Sequence, residues 1–152
     1  MKKEVEMVPV LINLAALASF DGINDDPIQM MTSGELYPGR NSSVLKYIES
    51  QEDEETGQIM ESEIRMEISG NQVTMNRTGD FSNVMMFQKD KRFETTYQTP
   101  FGDIPMAIYP REVLCDIKPE AGRVHLRYEL SMQGNYTSTN ELNLEYWARN
   151  RV

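Results

Sequence analysis

Arg77 is the residue whose setting most constrains the chemistry of this chain. In residues 72–78, Val73 and Met75 alternate with Thr74 and Asn76, so Arg77 falls on the apolar face of a strand pattern. A guanidinium turned inward needs an anion or several acceptors, because burying a lone charge is costly. Glu49, which closes the apolar run of Val44, Leu45 and Ile48, is the carboxylate best suited to meet it. Tyr47 and Tyr97 bring hydroxyls that could satisfy remaining donors and acceptors, and Tyr128 adds a third on an inward face. Two chemistries follow. In one, Arg77 and Glu49 form an internal ion pair completed by the tyrosines. In the other, Arg77 holds the carboxylate or phosphate of an amphipathic ligand that tyrosine hydroxyls orient. The candidate ligand-binding residues are therefore Glu49, Arg77, Tyr47, Tyr97 and Tyr128.

Other reactive groups are sparse. One cysteine, Cys115, and one histidine, His125, are present. A lone cysteine forms no internal disulfide, fits a reducing compartment and reads as a small buried apolar side chain. His125 falls on the polar face of its run and reads as a solvated surface histidine. The acidic cluster Glu52-Asp53-Glu54-Glu55 lacks the spacing of a calcium loop and reads as a solvated loop. There is no G-x-S-x-G, P-loop or H-E-x-x-H sequence. A pair of catalytic carboxylates needs a fixed separation in a cleft, which a count of acids in an acidic chain does not supply. The expectation is a protein that is not an enzyme, with no metal site and no cofactor.

The formal net charge is −9 over 152 residues. That balance argues against a nucleic-acid partner and against an anionic membrane surface, both of which call for clustered Lys and Arg. The start of the chain superficially resembles a signal peptide: Met1-Lys2-Lys3 precede an apolar run ending at Phe20. Glu4 and Glu6 stand in the basic region, however, and Pro9 and Asn13 interrupt the run. Val8, Val10, Ile12, Leu14 and Ala16 alternate instead, predicting a first strand too short to span a membrane as a helix.

The elements that must position these groups are strands. Residues 27–37 and 44–49 follow the turn at residues 21–26. In residues 58–69, Met60, Ser62, Ile64, Met66 and Ile68 share one face against Glu61, Glu63, Arg65 and Glu67 on the other. Gly70-Asn71 predicts a two-residue hairpin turn into 72–78. Residues 83–88, 93–99, 104–109, 113–118 and 123–133 continue the pattern. Pro100 and Pro105 fit strand ends, bulges or an edge better than a sheet centre. Leu142, Leu144 and Tyr146 mark the last strand, with 147–152 as a short tail. No segment carries a helical period with caps. One domain with short successive links predicts an antiparallel up-and-down β-barrel of about 8–11 strands and little helix. Its inward wall would include Ile64, Met66, Ile68, Val73, Met75, Leu126, Leu130, Leu142 and Leu144. Exposed apolar patches, as on an interaction module, could arise at Met30-Met31, Met85-Met86-Phe87 or Trp147.

Several short segments, in this order and spacing, resemble the YwiB-like family of bacterial domains. They are Gly34-Glu35-Leu36-Tyr37, Tyr47-Ile48-Glu49 leading to Thr56-Gly57, Arg77-Thr78-Gly79, Met86-Phe87, Tyr97-Gln98-Thr99-Pro100-Phe101-Gly102, and Gly122 through Leu126-Arg127-Tyr128-Glu129-Leu130. The resemblance runs from about Leu36 to Tyr146, and is weaker in the first strand. It implies a calycin-type, lipocalin-like barrel in a small cytoplasmic bacterial protein, and brings no established activity. A small-molecule ligand inside the barrel is the leading expectation. The alternative is a structural or protein-interaction module with a packed core and no ligand, acting as a monomer or homodimer.

Overall fold

A computed structural model describes residues 6–20, 23–24 and 26–149. Met1 to Glu4 of the signal-like start, and Asp21, Gly22 and Asp25 of the first turn, lie outside the described residues. Eleven strands follow one another: β1 (Val8–Phe20), β2 (Ile23–Asn24), β3 (Ile28–Tyr37), β4 (Ser43–Glu52), β5 (Ile59–Ser69), β6 (Gln72–Gly79), β7 (Asn83–Gln88), β8 (Phe93–Thr99), β9 (Gly102–Ile117), β10 (Ala121–Met132) and β11 (Asn135–Ala148). Among the described residues there is no helix.

Every pairing is antiparallel, in the order β7-β6-β5-β4-β3-β1-β11-β10-β9-β8, with the two-residue β2 pairing the end of β1. Ten strands thus make an up-and-down meander, and the first and last long strands join it through ten residue pairs from Val10–Ala148 to Ser19–Thr139. The ring closes incompletely at β7 and β8. Ser82 and Gln98 form a single bridge there, each backbone N–H donating to the other's carbonyl at 2.8 Å. Two turns reinforce this seam toward the other end of the barrel. Asp90 N–H donates to the Pro110 carbonyl at 2.9 Å, and the Asn71 side-chain oxygen accepts from Cys115 N–H at 3.1 Å.

The alternation of each strand sends one set of side chains into the barrel. Ile12, Leu36, Leu45, Ile64, Met66, Val73, Phe87, Leu126 and Leu144 are fully buried inside it. Gly122 makes this packing possible on β10. Its position lies against the Tyr146 ring, where a Cβ would overlap, and the Tyr146 hydroxyl donates to the Lys118 carbonyl at 2.6 Å.

Several boundaries differ from the sequence reading: β4 runs on to Glu52 and so takes the first acid of the cluster read as a loop. Residues 104–109 and 113–118 form one strand, β9, because a bulge at Arg111 absorbs the irregularity that Pro110 introduces. The last strand begins at Asn135, before its apolar residues, and it includes Trp147 and Ala148; residues 150–152 of the expected tail lie outside the described residues. Trp147 pairs with Leu11 and Ala121, so its backbone is held on both sides.

Candidate functional site

Alternation brings the five candidate residues to the interior of the barrel. Tyr47 and Glu49 follow Leu45 on the inward face of β4, and Tyr47 pairs with Ile64, which pairs with Arg77 on β6. Arg77 in turn pairs with Asn83 at the start of β7. Tyr97 lies just across the seam on β8, and Tyr128 reaches in from β10, four strands away around the ring.

The ion pair inferred from strand phase is present. Arg77 Nε donates to Glu49 Oε1 and Nη2 to Oε2, both at 3.2 Å, a bidentate fork. Nη1 donates to Asn83 Oδ1 at 3.2 Å. The two charged side chains are 14% and 23% exposed, so the pair is largely withdrawn from water while keeping an accessible edge. Burial works against the Arg77 charge, but Glu49, Tyr97 and the hydrogen bonds to Glu49 outweigh it and hold its pKa above the ordinary value.

The tyrosines play a different part from the one their residue types suggested. The Tyr97 ring lies 5.8 Å from the Arg77 guanidinium carbon and is tilted against Phe81, while Tyr128 meets Phe87 edge-on with ring centres 5.0 Å apart. None of the Tyr47, Tyr97 and Tyr128 hydroxyls hydrogen-bonds to Arg77 or Glu49. The expectation that Tyr47 and Tyr97 complete the ion pair is therefore corrected: Asn83 does so, because it faces Arg77 directly across the β6–β7 ladder. Burial raises the pKa of Tyr47, Tyr97 and Tyr128, keeping them neutral and able to donate.

Asn83 was legible in the sequence by phase, since it shares a face with Met85 and Phe87, but its position at the head of an apolar run concealed it. It is 7% exposed, and its Nδ2 is the one fully enclosed side-chain nitrogen or oxygen without a partner among the described residues. The tyrosine hydroxyls are not in that class, so they touch accessible space. Ser138 and Asn140 were missed too. They continue inward from Leu142 on β11, and Asn140 Nδ2 donates to Ser138 Oγ at 2.8 Å.

The barrel has two unlike halves. Toward the β5–β6 turn most of its inward residues are fully buried, with Val8, Cys115 and Ile117 half-buried at that rim. Toward the Arg77 end, Met30, Thr32, Tyr97, Tyr128, Leu130 and Leu142 also point inward but are only half-buried, while Ser62, Asn83, Met106 and Ser138 stay buried among them. Phe20, Ile23 and Ile28 extend this inward phase to the rim, where Ile23 and Ile28 are 73% and 67% exposed. The outer face carries shallow hollows. One of about 500 Å³ is walled by Leu114, Arg123, His125 and Asn143, and another of about 420 Å³ by Arg92, Thr95 and Pro105. Neither includes the Arg77 cluster.

His125 lies on that outer face, as expected, but it is clasped rather than solvated. Its Nδ1 is 2.6 Å from Asn143 Oδ1 and its Nε2 2.8 Å from Glu112 Oε2. Cys115 is half-buried against the core, and burial pushes its thiol up to about 11. The two residues are on opposite faces of the sheet, Cys115 with Val124 and His125 with Leu114. Among the described residues, no group of three or more His, Cys, Asp or Glu side chains is arranged to hold a metal ion.

Residues 12–144 match the family model described as a domain of unknown function, DUF1934. The chain belongs to this family. The fold is similar to the crystal structure of the YwiB protein from Bacillus subtilis, with a TM-score of 0.78 and 19% sequence identity, covering 95% of this chain and 94% of that one. At that identity the likeness shows the fold alone, and the YwiB-like resemblance read from short segments stands at that level. The comparison with curated proteins gives no match. No helix among the described residues is long and apolar enough to cross a membrane.

Proposed function

We propose that the open half of the barrel binds a small molecule. The observation that carries this reading is the contrast along the inward faces. Inward side chains are mostly sealed toward the β5–β6 turn and more often half-buried toward the Arg77 end, a contrast that supports room for a ligand there. A ten-strand ring also encloses more space than the eight-strand ring that side chains fill by themselves. The accessible part combines apolar walls with a few convergent polar groups, as ligand pockets do.

The role proposed is binding without catalysis, in a protein that acts without nucleic acid or a membrane. Glu49 is engaged by Arg77 on both oxygens, which leaves no free carboxylate pair at the site. Native mass spectrometry of protein isolated from cells tests the proposal. A reproducible added mass, lost on denaturation, is expected. A mass equal to the bare chain, from cells and again after incubation with cell extract, would favour the alternative of a protein-interaction module.

A further inference from the structure

From the polar groups left free inside the barrel, and resting on the binding reading above, we infer that the ligand is electrically neutral. It would be an amphipathic molecule with a hydrogen-bonding head, such as an amide or alcohol, and an apolar body.

The charge of the site sets the head. An arginine held by a single carboxylate through a bidentate fork has its charge matched, so the Arg77–Glu49 pair presents no excess charge to an anion or a cation. A charged head covered beside the pair would give up water without gaining a counter-ion and would bear that desolvation penalty uncompensated. This departs from the sequence expectation that Arg77 grips a carboxylate or phosphate. Glu49 already occupies the two N–H groups that would form that grip.

Hydrogen-bonding capacity sets the rest. Tyr47, Tyr97 and Tyr128 come from β4, β8 and β10, on different sides of the ring, and their hydroxyls have no hydrogen-bond partner among the described residues. A phenol hydroxyl both donates and accepts, so it matches amides and alcohols, which do the same. The third part is the path to the rim. Leu130 lies one inward step beyond Tyr128, Met30 and Leu142 add half-buried apolar wall, and Phe20, Ile23 and Ile28 continue the inward phase into solvent. An apolar body lying there would cover side chains that otherwise face water.

The test is isothermal titration of the purified full chain with four probes that share an eight-carbon chain: octanamide, 1-octanol, octanoate and octylammonium. Octanamide or 1-octanol is expected to bind at least tenfold more tightly than either ion. Tyr47→Phe and Tyr128→Phe, which keep the rings, are expected to weaken the neutral probes about fivefold or more while leaving the melting temperature unchanged or slightly higher. A hydroxyl with a structural partner would lower it instead. Equal or tighter binding of octanoate or octylammonium would overturn the inference and leave the binding proposal standing. Failure of all four probes would also overturn it, and the native mass measurement then decides separately whether the barrel binds anything.

Discussion

At the scale of single residues, the Arg77–Glu49–Asn83 group shows how far strand phase reaches. The period of two places Arg77 inside, and a charge placed inside needs a counter-charge, so Glu49 could be named before any coordinates. What phase does not encode is distance around the ring. Tyr97 is next to Arg77 only because the seam brings β8 beside β7, and Asn83 takes the third donor because it pairs with Arg77 across a ladder. The energetic consequence is direct. Arg77→Met leaves Glu49 largely withdrawn from water with no cation, at a cost of about 3 kcal/mol, the low end for a buried pair because both groups keep an exposed edge. Adding Glu49→Gln removes the stranded charge, so the double variant should regain at least about 1 kcal/mol relative to the sum of the single effects. Urea denaturation of the four proteins measures both quantities. Unchanged stability in Arg77→Met would show that the pair contributes nothing net.

At the scale of elements, the outer and inner faces of β9, β10 and β11 make separate predictions. On the outer face, His125 is flanked by Asn143 and Glu141 of β11, Glu112 of β9 and Arg127 of its own strand. Burial pulls the His125 pKa down, but the hydrogen bonds to Asn143 and Glu112 and the nearby carboxylates raise it above its ordinary 6.5. The hydrogen bond from His125, with Arg127 nearby, lowers Glu112 below 4.5. A raised histidine stabilises fully below 6.5 and loses that contribution as pH climbs through its folded value. A lowered glutamate stabilises above 4.5 and loses it as pH falls. The contribution is therefore greatest between those limits. The difference in melting temperature between the natural chain and His125→Gln should be larger at about pH 5.5 than at about pH 9. On the inner face, Gly122→Ala drives a methyl into the Tyr146 ring and should destabilise by about 1–3 kcal/mol, read by thermal or urea unfolding. These strands also show where sequence reading stops. The alternation of residues 123–133 is unbroken and was legible. Pro110 reads as a break, and it is the bulge at Arg111 that lets β9 pass it and continue. Leu142, Leu144 and Tyr146 mark the last strand in the sequence, whereas residues 136–141 lack apolar alternation, because their inward members Ser138 and Asn140 serve a polar part of the interior.

At the scale of the molecule, the up-and-down order was legible from short links, whereas the place where the ring fails to close was not. Nothing in residues 83–99 marks them as unpaired with one another. They look like any hairpin, and their parting depends on the twist and tilt accumulated over all ten strands. Two features limit the exposure of these edges: both strands are short, and Lys89, Lys91 and Arg92 stand at their connecting turn, where charge discourages pairing with another chain. The gap makes a residue-specific prediction for amide hydrogen exchange. Successive N–H groups of a strand point to opposite sides. With Ser82 and Gln98 bridged across the seam, Val84 and Met86 on β7 and Glu94 and Thr96 on β8 also point toward it, where no ladder forms. Their intervening neighbours Met85, Phe87, Thr95 and Tyr97 face β6 or β9 and are paired. Exchange should therefore alternate along both strands, fast at the four seam-facing amides and slow at the four others, with Ser82 and Gln98 slow despite lying on the seam. Uniformly slow exchange along β7 and β8 would mean that the barrel closes in solution. Uniformly fast exchange would mean that both strands detach together. Only the alternating pattern belongs to a ring that stays rigid around a standing gap beside the Arg77 cluster.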